Sequence, residues 1–218
     1  YYIHKLMPGL FAKSKNLPKS DKKRILRFLF YLSIGTISFT FFGYIDILML
    51  GLLIEDPAFI GYYRSAFALV SSIGGLLTFS YVLLPFFTQV KKNKISGVFN
   101  KVFKYAMFLA IPASFGTFIL AKHILIVVYG QEYLLATLPL YVLSLLIIFG
   151  VLVTLFINLF SAFEKPKEYF KLLLITIFLN IFLNYLLIKI LMKYSLIWAT
   201  TGSGIATVIS MFTPPSPG

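Results

Sequence analysis

Asp46 is the first residue whose type and place could do chemistry. It is the one acid in the apolar run 28–54 and lies about eight residues from that run's C-terminal end. In a helix this puts the carboxyl about 12 Å below the end, at 1.5 Å per residue. A carboxylate at that depth in hydrocarbon costs about 2.5–3.5 kcal/mol on insertion scales, so it must face a bundle interior or a wet cavity. Two readings stand. Asp46 either lines the path of a cation, a proton or a polar substrate, or it is a structural partner for Arg64 or for a hydroxyl of Ser38, Thr40 or Tyr44. Asn180 and Asn184 are one helical turn apart and share a face, and Asn158 lies deep in another apolar run. Amides in a bilayer usually bond across helices, each contributing about 0.6–2 kcal/mol. Substrate contact is the second reading for all three.

The rest of the inventory argues against catalysis. His4 and His123 are the only histidines and there is no cysteine. The chain shows no nucleophile elbow, no zinc-protease helix and no phosphate loop. No enzyme activity, metal or cofactor is expected, beyond a coupling ion (H+ or Na+) if the protein is a transporter. Gly202-Ser203-Gly204 reads as helix packing, because Gly202 and Ala206 form a small-xxx-small pair that lets helices approach.

These polar groups must be positioned by elements that are overwhelmingly apolar. Of 218 residues, 59% are hydrophobic and 12% charged, with a mean hydropathy of +0.90. A soluble domain of this size lacks the polar surface to cover so much apolar material. That excludes soluble enzymes, disordered chains and disulfide scaffolds. The runs with few or no charges are about as long as the roughly 20 helical residues a bilayer core requires, and longer than the strands of a barrel. The expected fold is an all-α integral membrane protein, an antiparallel helix bundle of five full transmembrane helices plus a truncated sixth. The spans fall near 28–54, 61–90, 101–128, 134–163, 169–192 and 196–212, after a basic segment 1–27 and before an irregular tail 213–218. Pro85 should kink the second span. Lys189 and Lys193, near the outer end of the fifth, can snorkel.

Charge orients the spans. Sixteen of the twenty basic residues fall in segment 1–27 and in alternate loops, including Lys91, Lys92, Lys94, Lys165 and Lys167. Arg64, Lys122, Lys189 and Lys193 make up the opposite side. The positive-inside rule places the basic loops in the cytoplasm. Topology accounts for the net charge of +13 without nucleic acid, for which no motif is present. The chain begins Tyr1-Tyr2-Ile3 and ends Thr213-Pro214-Pro215-Ser216-Pro217-Gly218, so both ends read as those of a piece of something larger.

Several motifs in order carry a resemblance. They are YIDILMLG at 44–51, IGYYRSAFAL at 60–69, LLPFF at 83–87 and YGQEYLLATLPLYVLSL at 129–145. FEKPKEY at 163–169, FLNIFLN at 178–184 and GSGIAT at 202–207 complete the series. Together they resemble the Wzx-type, O-antigen-like polysaccharide flippases of the multidrug/oligosaccharidyl-lipid/polysaccharide exporter superfamily. The resemblance implies one lobe of a two-lobe transporter, here the second, with 1–27 as the segment joining the lobes. It further implies alternating access that moves lipid-linked oligosaccharide across the cytoplasmic membrane, usually with ion coupling. Asp46 and Arg64 then fall on two helices that contribute to the cavity. The implied partners are the bilayer, the lipid-linked glycan and the missing first lobe. Lys193-Tyr194-Ser195 departs from the Pro/Gly-rich turn of the family. A cation-coupled multidrug antiporter and a non-transporting assembly subunit are the alternatives.

Overall fold

The computed structural model of the protein describes residues 19–77, 95–162 and 166–212. All regular structure among them is helical. The helices are α1 (Lys19–Leu53), α2 (Pro57–Leu77), α3 (Ile95–Tyr129), a 3-10 segment (Gln131–Ala136), α4 (Thr137–Leu143), α5 (Leu146–Ala162), α6 (Pro166–Met192) and α7 (Leu196–Met211). Three stretches, Asp21–Leu53, Gly97–Tyr129 and Phe170–Met192, are long and apolar enough to cross a membrane. A fourth crossing exists if the bent pair Gln131–Leu143 and Leu146–Phe160 counts as one. The sequence predicts five full spans, of which the described residues account for these. The second expected span leaves the described residues after Leu77, and Pro85 lies outside them.

Local chemistry sets the boundaries. α1 starts nine residues before the apolar run, because Asp21, Lys22, Lys23 and Arg27 end burial in lipid and not helical hydrogen bonding. Its far end closes at a tight turn where Asp56 Oδ1 accepts from the Ala58 amide at 2.9 Å. Pro57 opens α2, at the position where a missing N–H is harmless. Gly130, with φ of 93°, makes the turn after α3, a conformation that a side chain would strain. Ser195 caps α7 by accepting from the Trp198 amide at 3.2 Å.

The fourth crossing bends by 46° between α4 and α5. Pro139 does not cause it; that residue sits in the first turn of α4, where proline is tolerated. The bend falls at Ser144 and Leu145, where i→i−3 bonds such as Ile147 N to Ser144 O at 3.1 Å interrupt the α pattern. Ser114 of α3, two residues past Pro112, donates to the same Ser144 carbonyl at 2.9 Å. Irregular backbone at membrane depth needs such a partner within the protein.

The main core joins α1 and α2 to α3, α4, α6 and α7 through Leu50, Tyr63, Leu125, Leu140, Leu143, Ile188 and Ala199. α1 also packs Phe42 and Ile45 on Leu173 and Ile177 of α6. Phe99 and Val102 pack against the cluster of Ala110, Val151 and Leu155. The outer surface exposes large apolar side chains, among them Ile37, Phe41, Leu52, Phe108, Ile119 and Phe178. Such a surface suits lipid and not water.

A buried carboxylate network as candidate functional site

Two helical hairpins build the site, α1–α2 and α6–α7. Asp46 and Tyr63 stand about 10 Å from the turn that joins their helices, at 1.5 Å per residue, and so they meet. Asn184 and Ser203 stand at a similar distance from the turn between α6 and α7. One helical turn deeper, Asn180 faces Thr207. Close approach of α6 and α7 comes from Gly202. A Cβ there would lie 2.9 Å from Leu191 Cδ1 and 3.2 Å from the Leu187 carbonyl oxygen. Gly204, on another side of α7, sits under Leu143 and Val142 of α4.

Asp46 is buried and accepts three hydrogen bonds. The Tyr63 hydroxyl donates to Oδ2. Thr207 Oγ1 donates to the same oxygen at 2.6 Å, and Asn184 Nδ2 donates to Oδ1 at 2.8 Å. The donors have their own supports. Ser203 Oγ donates to Asn184 Oδ1 at 2.6 Å, which fixes the orientation of that amide. Asn180 Nδ2 donates to Thr207 Oγ1 at 3.0 Å and reaches Ser210 Oγ at 3.4 Å. One acceptor is left over. Asn180 Oδ1 is fully buried and has no hydrogen-bond partner among the described residues. Buried polar atoms in native proteins are rarely left so. An incoming proton or small cation is the complement that an acceptor beside a carboxylate would take.

Of the sequence candidates, the structure brings Asp46, Asn180 and Asn184 into one network. It leaves out the other two that it describes. Asn158 is buried but donates to Thr154 O of its own helix at 2.9 Å. Arg64 is exposed on α2 and makes no ion pair among the described residues, so it is not the partner of Asp46. Nor are the local hydroxyls. Thr40 turns back to Thr36 O at 3.0 Å, and Tyr44 points outward. Tyr63, Ser203, Thr207 and Ser210 were not among the candidates. The available signal was the i, i+4 pair Ser203 and Thr207, matching the i, i+4 pair Asn180 and Asn184 on the antiparallel neighbour.

Arg64 stands on a second, open feature. Over 61–75 the exposed side of α2 carries Gly61, Arg64, Ala68, Ser71, Ser72 and Gly75, small or polar residues at helical spacing, before the exposed Leu76 returns it to the bulky apolar surface found elsewhere. Ser33, Thr36 and Thr40 give α1 an exposed polar edge as well. Among the described residues, no group of three or more His, Cys, Asp or Glu side chains could hold a metal ion.

Helices of this length and hydropathy, closed around a buried polar network, define a multi-pass α-helical membrane protein. The chain belongs to the family of polysaccharide biosynthesis proteins, whose model matches residues 11–138, more than half of its length. No curated protein and no solved structure matches it.

Proposed function

We propose that the protein is a flippase, moving a lipid-linked oligosaccharide or polysaccharide precursor across the cytoplasmic membrane by alternating access. The observation that carries this reading is the family match over 11–138 in a chain of membrane-crossing helices. A polysaccharide family favours a glycan cargo over a drug. The chain supplies one lobe, its open α2 face turned to a cavity shared with the first lobe, and its basic loops in the cytoplasm. It carries its substrate without making or breaking a bond in it.

The two polar features divide the work. Asp46 is buried and already accepts three hydrogen bonds, which suits a proton or a bare cation and not a sugar. With Asn180 Oδ1 beside it, it serves as the site of the coupling ion, H+ or Na+. Arg64 is exposed and unpaired by any acid among the described residues. A guanidinium on a face of small residues suits the phosphate or diphosphate that joins lipid to glycan, since Arg presents a planar fork to such oxygens.

Leaflet-resolved measurement of lipid-linked glycan, in cells lacking the full-length gene, tests the reading. The glycan should accumulate in the cytoplasmic leaflet and be restored by the wild-type gene. Arg64→Ala should restore it poorly at low substrate, and Asp46→Asn poorly at any level. Normal flipping in the deletion strain would overturn the proposal.

A further inference from the structure

Residues 62 to 64 of α2 point in three directions, as consecutive helical positions about 100° apart must. Tyr62 meets Phe59 edge-on at 5.8 Å and Tyr133 at 5.7 Å, on the outer turn. Tyr63 is fully buried and donates to Asp46. Arg64 looks out onto the open face. We infer that Tyr63 is a positioning residue, whose bond to Asp46 makes the orientation of α2, and with it Arg64, depend on whether the carboxyl holds an ion. The inference rests on the flippase reading, in which Asp46 takes the coupling ion and Arg64 meets the substrate phosphate.

The wiring of the network supports the inference. α6 and α7 are laced together by Ser203–Asn184 and Asn180–Thr207 whatever happens at Asp46. α1 is held to α6 by Phe42 and Ile45. α2 packs in the main core through Tyr63, Ala66 and Val70, but its polar ties are few. It has two buried polar side chains, and Ser65 turns back to Tyr62 O of its own helix at 2.8 Å. Tyr63 alone of the two reaches another helix. A hydrogen bond to an ionised acceptor is about twice as strong as one between neutral groups. Neutralising the carboxylate with a proton, or sharing it with a cation, therefore weakens the Tyr63 tie while the lacing of α6 to α7 persists. Arg64, one residue along the same helix, moves with the outcome. Tyr63 is the one other titratable group facing Asp46 among the described residues; α6 and α7 present amides and hydroxyls there.

The test uses full-length protein in proteoliposomes, with a fluorescent polyprenyl-diphosphate glycan as substrate and an imposed H+ or Na+ gradient. Tyr63→Phe should cut gradient stimulation of flipping by about fivefold or more, the lower end of coupling between linked sites. Its KM for the glycan should lose the dependence on the ion that the wild type shows, whereas a merely structural defect would lower every parameter together and leave that dependence in place. Direct motion of α2 is read separately. Labelling of Ala68→Cys by an impermeant maleimide should change about fivefold when the ion is added, and this measurement needs no change at Tyr63. Unaltered Ala68→Cys labelling, or wild-type gradient stimulation in Tyr63→Phe, overturns the inference alone. Absence of gradient stimulation in the wild type overturns the coupled-flippase reading and the inference with it.

Discussion

At the residue scale, Asp46 poses an energetic question with two opposing terms. Its carboxyl disfavours placing α1 in the bilayer by about 2.5–3.5 kcal/mol if exposed to lipid. Assembly of the bundle removes that exposure and adds three hydrogen bonds, each worth about 0.6 kcal/mol in membrane proteins. Asp46→Ala should thus insert at least as well as wild type yet assemble less firmly, by about 2 kcal/mol. Equal membrane yield with a lowered thermal midpoint in detergent is the expected pair of results; an unchanged midpoint would mean that the network does not hold the helices. Asp46 was legible in the sequence because a lone acid in an apolar run is rare. Tyr63, Ser203 and Thr207 were not, because hydroxyls are common in such helices and usually satisfy themselves. Thr36, Thr117, Thr154 and Thr176 each bond the carbonyl four residues back.

At the scale of elements, the apolar runs located the helices but not where they stop or bend. Charge reports where a helix leaves lipid, so the apolar run by itself does not mark the turns of α1 before residue 28. It was equally silent on the break at Ser144 and Leu145, which depends on Ser114 of a different helix. The close contact of α6 and α7 was partly legible in Gly202 and Ala206, since small residues four apart announce it. Gly202→Ala should separate the two helices, because its Cβ would meet the Leu187 backbone as well as the Leu191 side chain. A loss of about 1–3 kcal/mol is expected, the usual penalty for overpacking. Gly43→Ala is the control. Nothing lies within 4 Å of a Cβ there, and the gain in helix propensity should leave stability unchanged or raised by about 0.5–1 kcal/mol. Thermal midpoints of the two variants side by side decide the matter. Equal midpoints would remove Gly202 as the determinant of close packing.

At the scale of the molecule, the orientation proposed from charge is open to a direct check. The chain has no cysteine, so single cysteines introduced into it label without background from it. Lys101→Cys, at the start of α3, should react with an impermeant maleimide only after the cytoplasmic side is opened. Glu132→Cys, in the 3-10 segment beyond the other end of α3, should react on intact cells. The reverse pattern would invert the topology, moving Asp46 and Arg64 from the outer half of the bilayer to the inner. It would also alter which leaflet the open face of α2 meets first.

The cap of α7 has one more use. Trp198, whose amide is held by Ser195, is the single tryptophan in this chain and is about half exposed, at 46%. It sits on the first turn of the helix that carries Ser203 and Thr207. Any tilt or slide of α7 would change the surroundings of the indole, shifting the colour of its emission. The network has an intrinsic fluorophore on its own helix, so a rearrangement around Asp46 could be followed optically without attaching a dye.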